Sequence, residues 1–364
     1  MQLKKIIILS IFVFPLACNA LEILGYVYRS DSVSHLTSDI IFRQNKSIKN
    51  NIRNINIIAP QAYQINERGT LWGTVDPSIL ALSKNHPVKI MPLVTNVDFN
   101  KKILTAFLNN PQAQKKAINE MVQVCKKNHF AGLQIDFEHI PLLDKKMFTL
   151  FFQNAATALH SNKFLISVTI FPSITNKIPA SDRTRSELEF WSGAYDYAAL
   201  GKVSDFVTLM AYDQHSGGTT PGSACEPAWL KRIIIYALRS IPASKISIGV
   251  PVHSSYWYTA LGNHDLYVAE SDLTYAQADY LLKQNHAKLL WDKESNVPYA
   301  IFSENNLNRY LFLQNIATFK VQLALAEKYQ LRGLSLWCLG YEDPTIWKAI
   351  AIHNSSAIMP SIDE

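Results

Sequence analysis

Short apolar runs alternate with longer stretches of mixed polarity along the chain. Most runs are continuously hydrophobic, which is typical of parallel strands buried on both faces. The runs that predict strands are Glu22–Tyr28, Asn54–Ala59, Val88–Thr95, Gly132–Glu138, Phe164–Ile170, Asp205–Ala211, Ile246–Pro251 and Gly333–Trp337. Eight strands with helices between them favour an α/β fold of the (β/α)8 TIM-barrel type over an open doubly wound sheet. The open sheet is further disfavoured because no glycine-rich phosphate-binding motif is present.

Several of the intervening stretches have helical periodicity. Pro111–Asn128, Asp144–Ser161 and Leu313–Gln330 each place apolar residues on one face, as expected of helices packed against a sheet. In the first of them, the apolar face consists of Ala117, Ile118, Met121, Val122 and Cys125.

The segment from His253 to Phe312 is too long for one strand-to-helix connection. Within it, Tyr275–Gln284 predicts a helix. The short strands predicted after that helix are Lys288–Trp291, Pro298–Ser303 and Arg309–Leu313. We therefore predict a small α+β insertion, residues 253–313, between strands seven and eight. The barrel itself would comprise residues 21–252 and 314–364.

The first twenty residues have the features of a signal peptide. Lys4 and Lys5 precede an apolar run, Ile6–Leu16, that is too short for a comfortable membrane span. The small residues Cys18-Asn19-Ala20 then offer a cleavage site. We expect an exported protein, secreted or periplasmic. Lipid attachment at Cys18 is an alternative that Pro15 disfavours.

Composition narrows the function classes. Charged residues are 18% of the chain and the formal net charge is +6, with no basic run long enough for a nucleic-acid site. Without Cys18, the cysteines are Cys125, Cys225 and Cys338, and their spacing suggests no metal site. A Cys225–Cys338 disulfide is left open in an oxidising compartment. We expect a monomer that does not bind nucleic acid and has no membrane-spanning segment after cleavage.

Asp136 and Glu138 lie two apart on a predicted strand, so their side chains and that of Gln134 point the same way. If they pointed outward, the carboxylates would be buried beneath apolar helices without partners, which is costly. If they point inward near the strand's carboxyl end, they line the mouth of the barrel. Two carboxyls this close raise one pKa, which is how a carboxylic acid stays protonated to act as a catalytic acid. An ordinary strand end with solvated acids is the alternative that this motif alone leaves open.

Three motifs together resemble glycoside hydrolase family 18. The stretch Phe130–Glu138 is similar to the fourth-strand signature Asp-x-x-Asp-x-Asp-x-Glu, with its last two acidic positions at Asp136 and Glu138. Met210-Ala-Tyr-Asp213 is similar to the Met-x-Tyr-Asp motif of strand six, and Trp337 falls on the tryptophan of strand eight. The resemblance covers roughly residues 22 to 350 and implies a barrel with an α+β insertion.

Within the family, the chain most resembles the spore-cortex-lytic peptidoglycan N-acetylglucosaminidases. Residues 209–223, after strand six, and 336–347, at the end of strand eight, are similar to the same segments of that branch. Members of the branch often carry LysM wall-binding repeats, and none is recognisable here, which leaves wall attachment open.

The resemblance implies substrate-assisted retaining catalysis without metal or cofactor. Glu138 would protonate the glycosidic oxygen, while Asp136 and Tyr212 hold the acetamido group that attacks the anomeric carbon. Asp213 would bind the sugar and Trp337 would floor its subsite. Further candidate substrate contacts are Met210, Gln134, Gln61, Tyr26 and His215. For Trp72, Trp257 and Trp291, sugar stacking and core packing are both open.

Two positions depart from the family signature, because Ala131 and Gln134 occupy its first two Asp positions. Gln134 can donate a hydrogen bond to Asp136 but cannot ionise. The main hypothesis is a hydrolase of N-acetylglucosamine-containing glycans, whether peptidoglycan, chitin or N-linked glycans, with endo or exo action undecided. The alternative is a chitinase-like lectin that binds these glycans, including chitin, without cutting them. Glu138 favours hydrolysis.

Overall fold

The computed structural model describes residues 20–28, 35–175, 193–217, 219–259, 267–269 and 272–358. The predicted signal peptide, Cys18 included, lies outside these residues except for Ala20. The strands are β1 (Glu22–Val27), β2 (Ile57–Ile65), β3 (Leu71–Gly73), β4 (Lys89–Ile90), β5 (Leu93–Asn96), β6 (Gly132–Asp136), β7 (Leu165–Ile170), β8 (Phe206–Leu209), β9 (Ile246–Pro251), β10 (Ser255–Thr259), β11 (Tyr267–Ala269), β12 (Leu290–Asp292), β13 (Val297–Glu304), β14 (Leu307–Phe312) and β15 (Gly333–Trp337).

The helices between them are α1 (His35–Asn51), α2 (Pro77–Ser83), α3 (Lys101–Leu108), α4 (Pro111–Asn128), α5 (Lys145–Ser161), α6 (Tyr197–Val203), α7 (Pro227–Ala237), α8 (Tyr275–Gln284), α9 (Ile316–Lys328) and α10 (Ile346–Ile358). Short 3-10 turns lie at Ile52–Asn54, Val97–Phe99, Leu142–Asp144 and Ala243–Lys245. No helix in the described ranges is long and apolar enough to cross a membrane.

Eight parallel strands close into a barrel. Their order is β1-β15-β9-β8-β7-β6-β5-β2, and β2 pairs in turn with β1. The predicted TIM-barrel fold class is therefore confirmed. Because side chains alternate along each strand, one face of the barrel wall packs on the helices, while the other fills the interior and its open end.

The third barrel strand and the second differ from their predicted extents. The third is split into β4 and β5 at Met91-Pro92, since proline has no N–H to donate to the ladder. The second continues past its predicted end at Ala59 to Ile65 and turns back through β3 as an antiparallel pair. This β2–β3 hairpin rises above the barrel mouth and becomes a wall of the cleft described below.

Local sequence determines the long helices that cover the barrel. In α4, the Asn110 side chain accepts hydrogen bonds from the N–H groups of Gln112 and Ala113, and proline occupies the first turn. The helix ends at His129, whose φ of 55° stops the helical path. Its predicted apolar face is buried against the barrel, apart from the half-buried Ile118.

An antiparallel sheet in the order β11-β10-β14-β13-β12, packed on α8, forms the insertion between strands seven and eight. The insertion is thus an α+β unit, as predicted. It includes two strands, β10 and β11, that the apolar pattern did not indicate. Tyr256, Ala300 and Leu311 fill the space between this sheet and the helix.

The cysteines do not cross-link. Cys125, Cys225 and Cys338 are all free and buried, so the Cys225–Cys338 disulfide left open by the sequence is not formed. Burial raises the pKa of each thiol to about 12, which makes all three unreactive at neutral pH.

Candidate active site

Two carboxyl groups lie inside the barrel mouth at the end of β6. Asp136 is the last residue of the strand and is 4% exposed. Glu138 lies two residues further on, just past the strand rather than within it as predicted. Phe137, between them, points outward and stacks on Phe151 at a centroid distance of 5.6 Å. The inward direction predicted for the carboxyls follows from this alternation.

The peptide around Glu138 is held by side chains from two other segments. Asn96, the last residue of β5, accepts from the Glu138 N–H at 3.0 Å and donates to the Glu138 carbonyl at 3.3 Å. The Tyr195 hydroxyl donates to the Phe137 carbonyl at 2.8 Å. Both side chains are buried. Glu138 is therefore fixed without strand pairing of its own.

The two carboxyls differ in charge preference because their surroundings differ. Burial raises the pKa of Asp136, but the Thr169 hydroxyl, which donates to Asp136 Oδ1 at 2.5 Å, lowers it. Burial also raises the pKa of Glu138, and the negative charges of Asp136 and Asp213 raise it further. Glu138 is therefore the group that keeps its proton and Asp136 the one that loses it.

Gln134 could donate to Asp136, but its amide has other partners in the structure. Its amide nitrogen donates to the hydroxyls of Ser167 at 2.7 Å and Thr208 at 3.2 Å, and its oxygen accepts from the Tyr26 hydroxyl at 2.8 Å. Gln134 and Tyr26 are fully buried. They form a polar layer beneath the carboxyls rather than an open substrate surface, so their predicted substrate contacts are corrected to support from below.

Aromatic rings form a floor beside the carboxyls. Trp337, at the end of β15, stacks with Tyr212 at a centroid distance of 6.0 Å and an interplanar angle of 19°. Tyr26 meets the Trp337 ring edge-on at 5.4 Å, and Tyr28 does so at 6.3 Å. Aromatic faces of this kind suit the apolar face of a sugar ring. The predicted partners Tyr212 and Trp337 are thus brought together.

Asp213 follows Tyr212 in the left-handed backbone region, with a φ of 59°, and its carboxylate is 54% exposed at the mouth. His253, two residues after β9, faces this carboxylate and was not predicted as a site residue. Met210 and His215 were also predicted as substrate contacts in this region. Met210 is buried at the end of β8, and His215 bonds within its own loop to the Thr220 carbonyl at 3.1 Å.

A cleft of about 510 Å³ opens beside this centre, over the ends of β2 and β5. The predicted contact Gln61 lines it together with Tyr28, Trp72, Thr95 and Phe99. Thr95, at the base of the cleft, is paired with Asp136 in the barrel register, so the cleft lies next to the strand that carries the carboxyls. Of the other tryptophans in question, Trp257 is buried at 1% exposure, and Trp291 is exposed on the insertion.

Ala131 precedes β6, at the opposite end of that strand from the carboxyls. An acidic residue there would be remote from the mouth. Within the described part of the chain, no three His, Cys, Asp or Glu side chains are grouped to hold a metal ion.

The chain is similar to known proteins both in sequence and in fold. A family model described as "Glycosyl hydrolases family 18" matches residues 53–342. An uncharacterized glycosylase of Bacillus subtilis (strain 168), YvbX, is 26% identical over 302 residues, which cover 81% of this chain and 84% of that protein. The cortical fragment-lytic enzyme of the same organism is 25% identical over 293 residues, but these cover only 65% of that enzyme.

Solved structures share the fold. The spore cortex-lytic enzyme SleL of Bacillus megaterium QM B1551 superposes with a TM-score of 0.81 at 22% identity, covering 93% of this chain and 75% of that one. A chitinase from Chromobacterium violaceum ATCC 12472 gives a TM-score of 0.78 at 22% identity, covering 92% of this chain and 99% of that one. At 22% identity, the similarity to these two structures shows a shared fold.

Proposed function

The chain belongs to the glycosyl hydrolases family 18 and is a glycosidase, and from this premise we propose that it cleaves β-linked N-acetylglucosamine-containing glycans by substrate-assisted retaining catalysis. One observation carries the proposal. Glu138 and Asp136 lie together at the carboxyl end of β6. Their surroundings raise the pKa of Glu138 to about 9 but that of Asp136 only to about 6. Such a pair supplies an acid and an anion at the same pH.

In the first step, Glu138 donates its proton to the glycosidic oxygen as that bond breaks. The carbonyl oxygen of the substrate's own 2-acetamido group attacks the anomeric carbon and gives a cyclic oxazolinium ion. Glycosidases of this kind are exceptions to the usual two-carboxylate scheme, since the nucleophile belongs to the substrate. The Asp136 carboxylate accepts a hydrogen bond from the acetamido N–H and stabilises the positive charge that develops on the ring.

In the second step, the ionised Glu138 takes a proton from water as the water oxygen attacks the anomeric carbon. The oxazolinium ring opens and the anomeric configuration is retained, because two inversions have occurred. Tyr212 would donate to the acetamido oxygen. Trp337 would floor the reacting sugar, and Asp213 would accept a hydrogen bond from it at the mouth.

Peptidoglycan is the substrate that we favour. The proposal is supported by the curated relatives named cortical fragment-lytic enzymes, although this chain spans less than two thirds of their length. Chitinases with solved structures share the architecture, so chitin oligomers are the second substrate to test. We further propose that residues 1–20 direct export, which amino-terminal sequencing of the mature protein would test.

A parallel digestion of three glycans would identify the substrate. The purified protein is incubated in parallel with peptidoglycan, chitin oligomers and a high-mannose glycoprotein, and the products are identified by mass spectrometry. We expect muropeptide fragments ending in N-acetylglucosamine. Glu138→Gln, checked for folding by circular dichroism, should release none. Hydrolysis by that variant would refute the role of Glu138. Binding of all three glycans without cleavage by the natural protein would favour the lectin alternative.

A further inference from the structure

His253 occupies a buried position between three parts of the barrel mouth. It lies two residues beyond β9 and is 2% exposed. Its Nδ1 is 3.3 Å from the carbonyl oxygen of Trp337. Its Nε2 is 3.5 Å from Asp213 Oδ1 and 3.7 Å from Asp272 Oδ1. The ring therefore faces the backbone of the aromatic floor on one side and two carboxylates on the other.

These neighbours determine the charge of the ring. A neutral imidazole has one N–H, whereas both nitrogens here face oxygen atoms that can only accept a hydrogen bond. The imidazolium form has an N–H on both sides, so that Nδ1–H reaches the Trp337 carbonyl while the positive charge at Nε2 forms ion pairs with the two carboxylates. Burial lowers the pKa of His253, but Asp213, Asp272 and the Trp337 carbonyl outweigh burial and bring it to about 9. A buried cation is tolerable only when paired in this way.

The second carboxylate is held in place by the insertion. Ser254 and Leu273 exchange two backbone hydrogen bonds of 2.8 and 3.0 Å, which fixes the residue after Asp272 against the residue after His253. Thr274 then caps α8, and the Tyr275 N–H donates to the Tyr341 carbonyl at 2.8 Å. Asp272 is thus placed by the fold to balance the imidazolium.

We propose that His253 is a positioning residue of the sugar subsite, which as an imidazolium holds the Asp213 carboxylate and the backbone of Trp337 in the orientation that binds the reacting sugar. The inference rests on the proposed function, in which Asp213 and Trp337 contact that sugar. His253 itself, buried beneath them, touches neither the scissile bond nor Glu138. Its loss should therefore weaken glycan binding more than it slows bond cleavage.

The test compares His253→Gln with His353→Gln. His353 is a matched control because it is 7% exposed and paired with Glu327 between α9 and α10, outside the barrel. On the N-acetylglucosamine tetramer, we expect His253→Gln to raise KM about tenfold with kcat changed less than about threefold. His353→Gln should leave both kcat and KM unchanged. The Tm of each variant is measured, so that any loss of thermal stability is separated from a change in these constants.

Two further measurements separate this inference from the proposed function. Tetramer binding is followed by tryptophan fluorescence in a Glu138→Gln background, where adding His253→Gln should weaken Kd about tenfold whether or not the natural protein turns over that glycan. Nitrogen-15 NMR of the labelled natural protein at pH 7 should show both ring nitrogens of His253 protonated, with the signal assigned by its loss in His253→Gln. A neutral ring, an unchanged Kd, or an equal effect of His353→Gln would overturn the proposal. If the natural protein hydrolysed no glycan but His253→Gln still weakened Kd as expected, only the hydrolase function would be refuted.

Discussion

Asn96 holds Glu138 by the backbone, accepting from its N–H at 3.0 Å and donating to its carbonyl at 3.3 Å. The two residues are 42 positions apart in the chain and meet because β5 and β6 are neighbours in the barrel. The acid lies just past the end of its strand, so this amide replaces the ladder hydrogen bonds that would otherwise fix it.

Asn96→Ala should therefore slow catalysis as well as destabilise the fold. Two peptide groups of Glu138 lose their partner, at a cost of roughly 1–3 kcal/mol in the free energy of unfolding. Displacement of the acid should lower kcat by about tenfold or more. Asn110→Ala is the control, because it too removes two side-chain hydrogen bonds to the backbone, in this case those accepted from two N–H groups at the start of α4. Equal kcat values for both variants would contradict the positioning role of Asn96.

The acid limb of the pH profile should depend on Thr169. Its hydroxyl lowers the pKa of Asp136 by donating to the carboxylate, and the proposed mechanism needs Asp136 ionised. Thr169→Val removes that donor and raises the pKa, so the acid limb of kcat/KM should move to higher pH by about one unit. Thr208→Val, which loses a bond to Gln134 instead, should leave the limb in place. A limb that does not move in Thr169→Val would argue against this link.

Glu138 should cost the protein stability as pH rises. Burial and two nearby carboxylates raise its pKa in the folded state above the ordinary value of 4.5. Below that value both states carry the proton and there is no penalty. As pH rises from there through the raised pKa, the unfolded state ionises more readily and stability falls. The difference in Tm between Glu138→Gln and the natural protein should thus grow in favour of the variant from pH 5 to pH 9. A difference independent of pH would mean that Glu138 ionises freely.

The sequence was informative where a short motif and strand alternation agree. Asp136 and Glu138 were predicted to face inward because outward-pointing carboxylates would be buried beneath apolar helices without partners. The structure places Phe137, the residue between them, against Phe151 of a covering helix. Tyr212 and Trp337 are distant in sequence, yet each was placed at the end of its own strand. Parallel strands in a barrel bring all their carboxyl ends to one mouth, so these predictions required no knowledge of loop structure.

Other features depend on contacts that no local pattern encodes. Asn96, Tyr195 and His253 act on residues 42, 58 and 84 positions away, and nothing in their immediate sequence distinguishes them from surface polar residues. Gln134 lies on the predicted face, but hydroxyls from two neighbouring strands compete for its amide. The outcome of that competition depends on barrel register, which the sequence alone does not specify.

The cleft beside the carboxyls implies that substrate length matters. Trp72, on β3, is 41% exposed and lines the cleft together with Gln61. We expect a sugar one or more residues from the scissile bond to stack on it. Trp72→Ala should raise KM for the N-acetylglucosamine hexamer by about tenfold, since a stacked ring contributes about 0.5–1.5 kcal/mol beyond its buried area, and should change KM for the dimer little. Trp291→Ala serves as the control, because Trp291 is 45% exposed but lies on the insertion strand β12, outside this cleft. The same KM change for dimer and hexamer would show that the glycan does not extend over β2 and β3.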